Sequence, residues 1–115
     1  MVALDQNGDP VMPVPTWLDA RSEDAIKQMY EILGEDMIHS HVQNRMATGF
    51  LLSSLYWTKI NRPADYDRIA CVMLPKDYIR YRMCGRISTD YSDAAGSAAF
   101  DNTIFDWSWD VIRGL

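Results

Sequence analysis

Apolar and polar positions along this chain fall into short blocks of two different periods, and together they predict an α/β fold. Val2 to Leu4 is an apolar run, and Asn7-Gly8 follows it as a dipeptide suited to the positive φ angles of a tight turn. Val11 to Trp17 then returns as a second extended run, so the opening predicts a hairpin. Pro13 and Pro15 each remove a backbone donor from that run, which places it at a sheet edge or makes it irregular. Ser22 is a candidate N-cap, with Glu23 and Asp24 matched to the positive end of a helix. Ile26, Met29, Tyr30 and Leu33 recur at helical spacing, and Gly34 is placed to end that helix.

A short helical turn is expected around Asp36 to His41. Phe50 to Ile60 is apolar on more than one side and predicts a largely buried helix, closed by Pro63. Ala64 to Ile69 predicts one more helical turn. Ala70 to Leu74 is a continuous apolar run, the pattern of a parallel strand buried on both faces. Pro75 suits the first position of a further helix and Gly85 its end. Ser88 to Ser97 is a polar, small-residue stretch, and a last helix is expected from Ser108 toward Ile112. One edge hairpin and one isolated buried strand make a poor sheet. The pattern begins inside a strand and ends just after a helix. The expectation is therefore an incomplete domain.

Composition narrows the function. The chain has 115 residues, 48% of them hydrophobic, and a formal net charge of −5. That balance gives no broad attraction to nucleic acid or anionic membranes. No apolar run is long enough for a membrane span, and the first ten residues lack a basic signal region. Cys71 and Cys84 belong to no paired motif and are read as reduced thiols of a cytoplasmic protein.

Several polar groups invite chemical readings. His39 and His41 would share a face only on a strand, and no third ligand stands near them, so a solvated or capping role is expected and no metal site is assigned. Lys76, Asp77, Arg80 and Arg82 form a charged helix face with an acid at its start. Ser92 and Asp93 lack a nearby histidine and fit turn and cap chemistry. Phe105, Trp107 and Trp109 are read as packing residues.

Three blocks carry a family resemblance. They are Leu74-Pro75-Lys76-Asp77-Tyr78, then Ser88-Thr89-Asp90-Tyr91-Ser92-Asp93-Ala94-Ala95-Gly96-Ser97, then Asp106-Trp107-Ser108. Upstream, Leu4-Asp5, Asn7-Gly8 and Pro15-Thr16-Trp17-Leu18-Asp19-Ala20-Arg21 agree in order and spacing. This resembles the FGGY carbohydrate kinases, and within them the xylulokinases most. The chain departs from the usual pattern at Leu18 (usually Asn), Leu51 (usually Pro, Ser or Thr) and Ser54 (usually Lys).

The resemblance implies a partial actin-like (ribonuclease H-like) ATPase domain, with residues 1–115 as the later part of the N-terminal domain. It implies an intact enzyme that uses ATP and Mg²⁺ to phosphorylate a sugar, D-xylulose first among the candidates. Gluconate, ribulose and glycerol are alternatives within the class, and a non-catalytic module derived from such a kinase is an alternative outside it. A homodimer is also compatible. The family's phosphate loop, its sugar-gripping Gln-Met-His-Gly and its catalytic aspartate are not found in these residues, and Asp93 is not that base. No catalytic residue is therefore assigned. Trp17, Asp19 and Arg21 are the substrate-binding candidates. By resemblance to glycerol kinase, Trp17 lines the polyol pocket, whereas a structural ion pair is the competing reading of Asp19 and Arg21. Arg45, Thr48, Gly49 and Phe50 lie in a stretch that approaches the sugar in relatives.

Overall fold

The computed structural model describes residues 1–115. Its sheet is built from two distant parts of the chain. Strand β1 (Val2–Leu4) pairs antiparallel with β2 (Cys71–Met73), with Val2 opposite Met73 and Leu4 opposite Cys71. The expected parallel strand without a neighbour is thus an antiparallel partner of β1. Its burial is partial, since Met73 is buried but Cys71 and Val72 are only half-buried. Periodicity identified an apolar run but carried no information about which strand lies beside it.

The opening hairpin is shorter than its pattern suggests. Asp5 accepts hydrogen bonds from the Asn7 and Asp9 backbones at 2.8 and 3.1 Å, Gly8 adopts a φ of 82°, and Pro10 bridges back to Leu4. The Val11 N–H donates to the Ala3 carbonyl, and the chain then becomes irregular through Pro13 and Pro15, which have no N–H to continue the ladder.

Two helices cover the two faces of this small sheet. Helix α3 (Leu51–Asn61) places Leu51 and Leu55 against Met1, Ala3, Met12 and Val72. On the other face, Tyr78 and Tyr81 of α5 (Pro75–Cys84) pack against Val2, Leu4 and Met73. Alternate strand residues point to opposite faces, so each helix meets its own set. Pro75 starts α5, and Gly85 ends it in the left-handed conformation. A single turn, α4 (Pro63–Tyr66), lies between α3 and β2.

The main core lies on the far side of α3. It joins Ala25 and Met29 of α1 (Glu23–Leu33), Ile38 and Val42 of α2 (Glu35–Val42), Leu52 and Tyr56 of α3, and Val111 of α7 (Trp109–Gly114). Ser22 is buried and makes no side-chain cap bond, so the expected cap is absent; its hydroxyl faces that of Ser53 instead. The expected turn at Asp36 is a full helix, α2. The polar stretch Ser88 to Ser97 contains a short helix, α6 (Tyr91–Ala95), capped by the Asp90 carboxylate on the Asp93 N–H. An unforeseen hairpin, β3 (Phe100–Asp101) with β4 (Asp106–Trp107), precedes α7.

Candidate functional site

Trp17, Asp19 and Arg21 come together on one exposed turn between the irregular run and α1. The Asp19 N–H donates to the Thr16 carbonyl at 3.1 Å, which closes the turn. Asp19 then gathers Arg21: its Oδ1 accepts from the Arg21 backbone N–H at 3.0 Å and from Nε at 2.8 Å, while Oδ2 lies 2.7 Å from an Arg21 terminal nitrogen. This is a fork-to-fork carboxylate–guanidinium pair. The hydrogen bonds from Arg21 hold the Asp19 carboxyl below the usual carboxylate range. The guanidinium lies 5.0 Å from the centre of the Trp57 ring on α3, at cation–π distance.

Trp17 itself is 79% exposed, and Leu18 beside it 71%. An indole this open to water is not a core residue, so its exposure favours a surface role over a buried structural one. Gly49, just before α3, touches the Trp17 backbone. A β-carbon added at Gly49 would lie 2.4 Å from the Trp17 carbonyl oxygen. The three candidates therefore form an open wall and not a closed pocket. A cleft of about 370 Å³ lies elsewhere, along β2, lined by Leu51, Met73, Asp77, Thr89 and Trp107 among others, and it includes none of the three.

The other polar groups take structural places. Lys76 Nζ lies 2.6 Å from Asp77, 2.7 Å from Asp90 and 3.4 Å from Asp93. Burial alone would lower the Lys76 pKa, but the hydrogen bonds to Asp77 and Asp90 outweigh it and raise the ammonium above its ordinary value. Asp77 stands in the first turn of α5, as expected, but it is buried there and also pairs with Arg80. His39 and His41 lie on a helix, where i and i+2 diverge. His39 faces Glu35, whereas His41 Nδ1 meets the buried Asp101 carboxylate at 2.8 Å, which is neither a solvated nor a capping position. Phe105 stacks edge-on with Tyr91 at 5.6 Å yet stays 63% exposed.

Nowhere do three His, Cys, Asp or Glu side chains converge as metal ligands. The donors present here do not by themselves make a Mg²⁺ site. No helix is long and apolar enough to cross a membrane.

Residues 1–115 match the FGGY family of carbohydrate kinases, N-terminal domain, and the chain belongs to that family. Xylulose kinases are among the relatives it matches. It is 36% identical over 115 residues to the xylulose kinase of Staphylococcus xylosus, a match covering all of this chain and 24% of that protein. It is 43% identical over 107 residues to the xylulose kinase of Escherichia coli strain K12, covering 91% of this chain and 21% of that protein. The crystal structure of a xyloylose kinase from Brucella ovis aligns with a TM-score of 0.87 at 28% identity, over 97% of this chain and 22% of the other. The fold is thus that of the FGGY, actin-like sugar kinases. The chain spans under a quarter of the length of these relatives.

Proposed function

We propose that these residues are an internal part of an ATP-dependent sugar kinase of the xylulokinase type, acting on D-xylulose at its 5-hydroxyl. In that enzyme the segment supplies one wall of the sugar pocket and part of the domain framework. Trp17 offers its ring to the carbon face of the sugar, with Asp19 and Arg21 standing beside it. ATP, Mg²⁺ and the catalytic base are held by other parts of the intact enzyme, and phosphoryl transfer would rest on those groups. The observation that carries the reading is the identity with xylulose kinases along the whole chain, combined with the exposure of Trp17. A tryptophan open to solvent within one chain is available to a ligand or to the rest of the molecule.

A graft tests this. Residues 1–115 replace the matching segment of the Staphylococcus xylosus enzyme, and sugar-dependent ATP turnover is measured across D-xylulose, gluconate, ribulose and glycerol. The expected result is turnover with D-xylulose ahead of the others, and a fall of about tenfold in kcat/KM, or ~1.4 kcal/mol, in the Trp17→Ala graft. A graft that turns over gluconate or glycerol faster would reassign the substrate. An unchanged kcat/KM in Trp17→Ala would remove Trp17 from the pocket.

A further inference from the structure

An exposed indole is useful as a binding wall only if something other than burial fixes it, because each side chain immobilised on binding costs conformational entropy. Trp17 has no enclosing side chains, yet its turn is seated at two points, one just before α3 and one on it. The first is Gly49. An added β-carbon there would lie 2.4 Å from the Trp17 carbonyl oxygen, 2.8 Å from its Cα and 2.9 Å from its carbonyl carbon, so only a residue without one lets the Trp17 backbone rest where it does.

The positive φ of Gly49 does not account for this alone. Gly34 has a φ of 79° against 80° at Gly49, but an added β-carbon at Gly34 meets nothing within 4 Å. The second seat is four residues along the turn, where Asp19 holds the Arg21 guanidinium over the Trp57 ring at 5.0 Å. The base beneath both seats is itself tied down. The Ser53 hydroxyl donates to the Ala47 carbonyl at 2.7 Å and lies 3.1 Å from that of Phe50, which binds the Gly49 turn to the first turn of α3.

We propose that Gly49 and Arg21 are positioning residues for Trp17, the first by backbone contact and the second through Asp19 and Trp57. Together they mount the turn on α3, so that the backbone from which the Trp17 ring projects is held in one place before any ligand arrives. The value of this for sugar binding rests on the reading given above, but the mount itself is a property of the free chain.

The test uses the 115-residue chain labelled with 5-fluorotryptophan, whose four tryptophans give four fluorine resonances. Trp17→Phe assigns the one of interest. Gly49→Ala and Arg21→Gln are both expected to move and broaden the Trp17 resonance while leaving those of Trp107 and Trp109 in place. Gly34→Ala introduces similar backbone strain without the contact and is expected to leave Trp17 unmoved. Arg21 is a partly exposed side chain, so Arg21→Gln decides the matter even where Gly49→Ala does not fold. A Trp17 resonance unmoved in Arg21→Gln, or in folded Gly49→Ala, overturns the proposal, as does an equal shift in Gly34→Ala. No sugar is present in this experiment, so its failure is distinct from an unchanged kcat/KM in the Trp17→Ala graft.

Discussion

Asp101 is the residue whose surroundings most directly set a solution property. It is buried at 3% exposure and accepts hydrogen bonds from the Thr103 N–H at 2.8 Å, the Thr103 hydroxyl at 2.5 Å and His41 Nδ1 at 2.8 Å. The Thr103 hydroxyl lowers its pKa most, burial opposes, and His41 adds to the lowering, leaving the carboxyl at about 2 against an ordinary 3.8. A carboxylate with a folded pKa below its unfolded one stabilises the fold above the unfolded value, and loses that contribution as pH falls. Stability in urea is therefore expected to decline between about pH 4 and pH 2. Asp101→Asn should flatten that decline, and cost about 1–3 kcal/mol at neutral pH by leaving buried donors badly matched. A mutant whose acid limb runs parallel to that of the parent chain would show that Asp101 is not responsible.

Elements differ in how they are joined, and the join between α5 and α6 is electrostatic. Lys76 reaches from the first turn of α5 to Asp90, the cap of α6, and to Asp93 one turn on. Its contacts to these exposed carboxylates contribute little alone, but it also neutralises Asp77, which is buried. Lys76→Met is expected to cost about 1–3 kcal/mol, since Asp77 keeps only Arg80 as a charged partner. Raising salt in the parent chain should reproduce only a small part of that loss. Helices were the legible part of this sequence: the spacing of Ile26, Met29, Tyr30 and Leu33, and Pro75 with Gly85, are local signals that α1 and α5 obey. Strand pairing was not legible, because β1 finds its partner across more than sixty residues. The β3–β4 hairpin has two residues per strand and turns at Phe105 with a φ of 56°, a conformation its residue type does not announce. The same division runs through the site. Trp17, Asp19 and Arg21 are neighbours in sequence and could be read as a unit, whereas Gly49 and Trp57 lie under them only through packing.

At the scale of the whole molecule, the chain has a radius of gyration of 13.6 Å, close to the roughly 13 Å of a self-contained domain of this length. The proposed role puts nucleotide and base chemistry outside these residues, so the purified chain is expected to show no sugar-dependent consumption of ATP in a coupled assay. Turnover above the no-sugar baseline would place nucleotide and base chemistry within these residues and overturn the proposed role. The antiparallel pairing of Val2–Leu4 with Cys71–Met73 also has a consequence in time. At synthesis rates of about 5–20 residues per second, roughly 3–13 seconds separate the appearance of β1 from that of β2. For that interval a strand destined to be almost wholly covered lacks the partner it has in the fold, so a chaperone that recognises short extended apolar segments would find β1 open to it until β2 emerges.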